Sequence, residues 1–392
     1  MPSIGRVHFE TYTAQNRVKH AILSKYFAAY LQALSRNAEA FHYIDAFAGP
    51  GTYAESNPGS PLYALDLLGK QAKPYAASFV ESDAASYAEL ERVVRTAPAS
   101  RAQLEPPWLR NAEFSECVDE ILARPAFKPY RAVATFVFVD PWGLKGVYVS
   151  DFAKILRKPF GECLALFNYD GLNRWLGAVR GGTHDRAKLD LFFGTRDAAD
   201  AALAYASAPA TATPNDFRLL DIYLRSVRDQ SGARYVLPFR FRAAERERTS
   251  HYLIHLAQHP LAFKIMKDVM KSESAGTGDY GSLGFIPQNE LVGQGELFHP
   301  NAERAKREIL RELRDGARPV TLFTKQWIER PDDMFVEKEY KQLLLELERD
   351  SELEVIDEQT REPVPAAQRR RRAGAPTLGD AYWVRRKSGA DT

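Results

Sequence analysis

The chain reads as an α/β protein, a doubly wound and mainly parallel sheet followed by a small helical unit that closes with a hairpin. Three observations carry this reading. Apolar runs of strand length alternate with segments of helical periodicity as far as Leu256. Three of the runs lead into acids: Phe41 to Phe47 carries Asp45 just before Gly49-Pro50-Gly51, Ala76 to Val80 ends in Glu81, and Ala134 to Val139 ends in Asp140-Pro141-Trp142-Gly143. Strand ends of this kind lie along the carboxyl edge of one sheet, where open α/β folds bind ligands. Beyond Ser272 the composition turns glycine-rich and then into three short helical patterns.

A chain of 392 residues exceeds one core, and the expected division is a sheet domain over 1–272, a linker over 273–300 and a second domain over 301–392. Hydrophobic content of 45% and charged content of 27% are those of an ordinary globular protein. No apolar stretch approaches the roughly 20 residues of a membrane span. Met1-Pro2-Ser3-Ile4-Gly5-Arg6 has no secretory core, so the expected location is cytoplasmic. Two cysteines, Cys117 and Cys163, make neither a disulfide framework nor a metal cluster.

Taken in order, Gln15 to Leu34 is an amphipathic helix with Val18, Ile22, Leu23, Tyr26, Phe27 and Leu31 at helical spacing. The glycine loop after the first strand leads to Asn57-Pro58-Gly59-Ser60-Pro61, where Ser60 can open a helix to about Leu68. A helix from Ser82 to Arg95 follows the second strand. Residues 97–110, rich in proline and polar groups, read as a loop, with a short third strand near Glu113 to Ser115. The fourth strand precedes a helix from about Val149 to Arg157, and Glu162 to Asn168 is a fifth strand, apolar enough to be internal. Residues 171–233 are mostly helical, and Arg234 to Phe241 with His251 to Leu256 suit an antiparallel hairpin. His251, His255 and His259 are four apart, but in a strand-like run that spacing makes no compact metal trio.

In the C-terminal part, helices at Ala302 to Arg314, Thr321 to Arg330 and Val336 to Asp350 precede strands at Leu353 to Ile356 and Ala381 to Arg385. Three helices and a hairpin outline a winged helix. Arg369, Arg370, Arg371 and Arg372 then occupy the loop, suited to phosphate contacts or to a narrow minor groove. Residues 366–392 hold seven basic side chains against two acids, a net +5 in a chain of net +2, which leaves the remainder at −3. Such asymmetry suits a polyanionic partner for this end. A protein-binding winged helix with a solvated basic loop is the plainer alternative.

The site chemistry separates cofactors. A Gly-x-x-x-x-Gly-Lys-Ser/Thr loop is absent, and the third position of Gly-x-Gly-x-x-Gly is Ala54. An acid, Gly-x-Gly and an acid ending the next strand better suit S-adenosylmethionine. Glu81 would accept from two ribose hydroxyls, Asp45 and the loop amides would face the amino-acid end, and Glu116 or Asp119 would meet the adenine amine. Asn168 to Trp175 is either a substrate-contacting loop or a helix cap.

Several of these segments together resemble the three-Cys-motif partner protein family (TcmP): Val18-Lys19-His20, Tyr43 to Tyr53, Gly59-Ser60-Pro61, Phe79-Val80-Glu81, Phe138 to Gly143 and Lys264 to Met270. The C-terminal part resembles the winged helix-turn-helix of the same proteins, so the likeness covers most of the chain. It implies a partner with three cysteines of the radical-SAM-like kind. More distantly, Lys19-His20 followed by Asp45 to Tyr53 resembles the class I, Rossmann-type ribosomal RNA adenine-N6 methyltransferases. That likeness implies a SAM-binding methyltransferase sheet acting on nucleic acid. The residues expected to hold the cofactor are Lys19, Asp45, Phe47, Gly49, Gly51, Ser60, Glu81 and Glu116. Asp140, Pro141 and Trp142 stand where those enzymes place Asp/Asn-Pro-Pro-aromatic, which holds the target amine and stacks on the flipped base. Here the aromatic comes one residue early. The alternative is a non-catalytic, nucleic-acid-binding partner of the three-Cys protein.

Overall fold

In the computed structural model, the described residues are 12–54, 57–141, 146–207, 216–242, 249–274, 284–285, 300–331, 333–372 and 375–387. Trp142 and Gly143 fall outside them. The chain divides into two compact units, the first built from residues 1–273 and 284–290, the second from 274–283 and 291–392.

The first unit opens with α1 (Ala14–Ala33), capped by Thr13, whose side chain accepts from the Asn16 N–H. Strands β1 (Ala40–Asp45), β2 (Tyr75–Val80), β3 (Trp108–Arg110), β4 (Val133–Val139) and β5 (Glu162–Phe167) alternate with α2 (Ser60–Gly69), α3 (Ala84–Arg95), α4 (Phe114–Leu122) and α5 (Val149–Leu156). Every residue of β1 and β2 is buried, as strands covered by helices on both faces require. Helices α6 (Tyr169–Arg180), α7 (Arg186–Phe193), α8 (Arg196–Ser207) and α9 (Asp216–Ser231) follow, then β6 (Tyr235–Arg242), β7 (Thr249–Ala257) and α10 (Pro260–Glu273).

The strand order is 3-2-1-4-5-7-6, with a short β8 (Gly284–Phe285) beyond β6. All pairs from β3 to β5 are parallel, and β7 runs antiparallel to both β5 and β6. The chain reverses its winding between β1 and β4, and a crevice at such a point is where doubly wound sheets hold ligands. A buried polar group ties α1 to the sheet interior: Tyr26 Oη donates to the Glu162 carboxylate, which also meets His255 Nε2 at 3.0 Å.

Two expectations fail in one place. Residues 108–110 form β3 inside the stretch read as a loop, and Glu113 to Ser115, read as a strand, is the start of α4. Three prolines (Pro98, Pro106 and Pro107) masked the strand in a composition reading, although β3 needs only three residues to bond β2 at Ser78, Phe79 and Val80. The Glu113–Glu116 capping interaction turns the chain into a helix immediately afterwards. Within the stretch read as a linker, Gly284 and Phe285 pair with Arg240 and Phe241 of β6.

The second unit holds α11 (Pro300–Glu312), β9 (Arg318–Pro319), α12 (Glu337–Arg349), β10 (Leu353–Asp357), the two-residue strands β11 (Arg371–Arg372) and β12 (Ala375–Pro376), and β13 (Tyr382–Arg386). Its sheet has the antiparallel order β10-β13-β9. The helix expected at 321–330 is a π turn at Leu322–Gln326 running into a 3-10 turn at Trp327–Glu329. Thr324 Oγ1 donates to the Val320 carbonyl, the local competition that loosens a helical turn. Phe323, Trp327, Tyr340, Leu343 and Val384 pack in its core.

Arg369 departs from the expected exposed wing. Its side chain is fully buried and pairs with Glu348 of α12, whereas Arg370 is exposed. We expect Arg369→Ala to destabilise this unit by about 1–3 kcal/mol, because it leaves Glu348 without its partner, and Arg370→Ala to stay within about 0.5 kcal/mol. Chemical denaturation of the two variants checks this, and equal midpoints would refute the distinction.

Candidate active site

A cavity of about 500 Å³ opens at the carboxyl ends of β1, β2, β4 and β5. Its floor is the turn between β1 and α2. Gly49 and Gly51 have φ of 58° and 82°, a left-handed path that side chains disfavour. The loop then folds back: the Gly59 N–H donates to the Gly51 carbonyl at 2.9 Å, and a Cβ on Gly59 would lie 2.8 Å from that oxygen. Backbone is therefore drawn tight where a ligand must pass close.

Three strand-end acids behave differently. Asp45 is fully buried beneath the turn and does not line the cavity. It accepts from the Phe47 N–H and from Tyr43 Oη, both at 3.3 Å, and is hydrogen-bonded by Ser60 at the start of α2. Burial pushes its carboxyl up to about 7, with those bonds pulling the other way. Glu81 does line the cavity, and it accepts from the Gly49 N–H at 2.9 Å and the Asp83 N–H at 2.7 Å. Burial raises its carboxyl too, against the backbone amides of Asp83, Gly49 and Ser82.

Asp140 is the third. Lys19 of α1 forms an ion pair with its Oδ2, with side chains only 6% and 18% exposed. Burial works to raise this carboxyl, but the Lys19 ammonium, with smaller help from His20 and His251, holds it below its usual range. His20, beside Lys19, is pushed down to about 3 by burial and by the lysine charge, and so stays neutral. It packs with Tyr12, Tyr53 and Tyr63 and is hydrogen-bonded to Tyr12 Oη at 3.1 Å.

Of the residues anticipated from sequence, Lys19, Phe47, Gly51, Ser60, Glu81, Asp140 and Pro141 line the cavity together. Gly49 sits behind, bonded to Glu81. Glu116 does not reach the cavity: its carboxylate caps α4 by accepting from the Glu113 N–H at 3.3 Å, and Glu113 lines the wall instead. Trp142 lies outside the described residues. Of the two roles anticipated for its segment the helix cap is present, Asn168 accepting from the Gly171 N–H at 2.8 Å at the start of α6, and the same residue lines the cavity.

Sequence reasoning missed Thr13, Gln15 and Asn16 at the start of α1, Asp83 and Glu113, and Ser250 and His251 of β7. The signal for β7 was its antiparallel sense, which brings the beginning of that strand to the edge where the parallel strands end. Among the described residues, no group of three or more His, Cys, Asp or Glu could hold a metal ion. No helix among them is long and apolar enough to cross a membrane.

The sheet is Rossmann-like, in the class I methyltransferase order. This rests on strand order and sense. No protein-family model matches the chain, and no curated protein does. Solved structures with similarity include the protein LPL1258 of Legionella pneumophila, 12% identical, covering 65% of this chain and 89% of that one at a TM-score of 0.39. The O-methyltransferase TomG of Streptomyces achromogenes, solved with SAM, is 12% identical over 62% and 80% at 0.29. The methyltransferase domain of a bacterial Hen1 is 11% identical over 61% and 99% at 0.31. Scores this low decide nothing about the site.

The buried Asp45 carboxyl makes stability depend on pH. Its folded value lies above the ordinary 3.8, so the folded state holds the proton more tightly. Its contribution is complete below about pH 4 and is lost as pH rises to about 7. Asp45→Asn should therefore gain on the wild type across that interval by an amount on the order of a few kcal/mol. Thermal unfolding of both proteins from pH 4 to 8 measures it, and parallel curves would exclude the effect.

Proposed function

We propose that the first unit transfers a methyl group from S-adenosylmethionine to an amine of a nucleic acid or nucleobase-like acceptor. The observation that carries this is the pairing of two differently held acids on one cavity, Glu81 fixed by backbone amides and Asp140 kept ionised by Lys19. The residues fit the cofactor. Glu81 presents a carboxylate able to accept from two hydroxyls, Asp83 and Glu113 add acceptors on the same wall, and the close approach of Gly59 to Gly51 leaves no volume for side chains beneath them. When bound, the cofactor supplies a methyl group on a positively charged sulfur. Asp140 would accept a hydrogen bond from the acceptor amine, orienting its lone pair.

The second unit, in this reading, is a winged helix, with α12 as its third helix and the segment between β10 and β13 as its wing. Arg370 and Arg371 would bind phosphates, while Arg369 anchors the wing to α12. The resemblance to three-Cys-motif partner proteins adds a radical-SAM-like protein as the partner. One observation favours the alternative of a non-catalytic binding partner: one of the two Asp140 oxygens, Oδ2, is already engaged by Lys19.

Calorimetric titration with S-adenosylmethionine should give micromolar affinity, weakened at least about tenfold, or 1.4 kcal/mol, by Glu81→Ala. Absence of binding at millimolar ligand would reject the cofactor. Asp140→Asn, which leaves the Lys19 ammonium without its counter-charge, should remove methyl transfer. Binding without transfer by the wild type, with the partner present, would favour the non-catalytic reading. Neutralising Arg370 and Arg371 should reduce the salt slope of RNA or DNA binding by about 1 for each phosphate no longer neutralised, with cofactor affinity unchanged.

A further inference from the structure

The cavity wall made by the start of α1 holds three polar side chains, Thr13, Gln15 and Asn16. Two of them are committed within the protein. The Thr13 hydroxyl accepts from the Asn16 N–H at 3.1 Å and so caps the helix. Gln15 Nε2 donates to the Arg242 carbonyl at 2.7 Å, which ties the helix start to the end of β6.

Asn16 is different. The residue is only 6% exposed, its Nδ2 is enclosed, and no group among the described residues bonds either amide atom. Leaving a buried amide unbonded is costly, and native structures do so rarely. The last torsion of an asparagine is broad and roughly two-fold. A half-turn about it exchanges the two amide atoms and can present Nδ2 to the cavity without breaking a hydrogen bond in the protein.

The surroundings select the charge of the missing partner. α1 is 20 residues long with no acid in its first turn, so the partial positive charge of its N-terminus is uncompensated there. The Ala14 and Gln15 N–H groups, at the first two helical positions, have no acceptor within the helix. Lys19, one turn on, has its ammonium held by Asp140, so the donors at the helix start are neutral ones. Neutral donors at a helix N-terminus suit an oxyanion. Asp45, anticipated from sequence at the amino-acid end of the cofactor, lies buried off the cavity, so that end is without the acid expected for it.

We propose that Asn16 and the first turn of α1 form an oxyanion subsite of the cavity, filled by the amino-acid carboxylate of S-adenosylmethionine or by a phosphate of the acceptor strand. Asn16 Nδ2 donates the side-chain hydrogen bond, and the helix end supplies the favourable field. The identity of these two anions rests on the methyltransferase reading, whereas the unbonded amide and the helix end stand without it.

Calorimetric titration of the full chain decides between the two anions. The ligands are S-adenosylmethionine, a short single-stranded RNA oligonucleotide, and 5′-methylthioadenosine, which keeps the nucleoside and sulfur but lacks the amino-acid end. With the carboxylate as occupant, Asn16→Ala weakens S-adenosylmethionine at least about tenfold and leaves 5′-methylthioadenosine within about twofold. Asn16→Asp, which sets a like charge against the anion, weakens it further. With a phosphate as occupant, the same variants weaken the RNA about tenfold and leave both small ligands unchanged. Equal losses for S-adenosylmethionine and 5′-methylthioadenosine place the amide on the nucleoside and overturn the subsite. Unchanged affinities for all three ligands overturn it as well. Thermal unfolding without ligand tests for a structural role. Asn16→Ala removes no hydrogen bond made by the amide within the protein, so its midpoint should match the wild type. A lowered midpoint with unchanged affinities assigns Asn16 to packing alone. No binding of S-adenosylmethionine by the wild type rejects the cofactor reading, and the RNA titrations then decide the subsite by themselves.

Discussion

A buried ammonium against a half-buried carboxylate is the constraint on which the cavity depends. Lys19 is on a helix that precedes the sheet, and Asp140 ends a strand far along the chain, so their pairing fixes one wall of the site to another. Neither charge is stable alone at that depth, since desolvating an ion without its partner costs several kcal/mol. The sheet supplies the remaining order. Strands buried on both faces hold β1, β4 and β5 side by side, and the α1 helix is anchored again, two turns after Lys19, by Tyr26 on Glu162.

The turn after β1 is a second fixed wall, made of backbone. Left-handed Gly49 and Gly51 direct amides outward, and one of them is bonded to Glu81. Asp45 therefore holds the turn through the Phe47 N–H and Ser60 of α2, and Glu81 holds it through the Gly49 N–H, which links β1, β2 and α2. Preorganisation of this kind keeps a binding surface in place before the ligand arrives.

Much of the fold was legible because periodicity reports burial directly. The strand at Val133–Val139 and the helix at Ala14–Ala33 follow from apolar spacing alone. β3 was not legible, because three residues carry no period and prolines surround them. Within the site, Lys19, Gly51, Glu81 and Asp140 could be named from strand ends and glycine spacing. The ion pair between the first and last of these could not, because their separation of 121 residues is bridged only by the tertiary fold. His251 was visible as one of three spaced histidines, weighed only as a metal trio and rejected as one, and only the antiparallel sense of β7 brings it to the site. Arg369 misled for a different reason: a run of like charges reads as solvated, yet one member can be drawn inward by a carboxylate such as Glu348.

The same structural position thus yields three chemistries. Asp45, Glu81 and Asp140 all stand at or just past the ends of adjacent parallel strands. Burial pushes each toward its neutral form, and what differs is the compensation. Asp45 has hydroxyls and one amide but no cation, and its carboxyl rises to about 7. Glu81 has only backbone amides and stays raised. Asp140 has an ammonium, and only its carboxyl falls. Environments that separate like groups in this way are how one fold assigns different tasks to identical side chains. By keeping Asp140 ionised, Lys19 preserves a carboxylate, a hydrogen-bond acceptor, on the cavity wall.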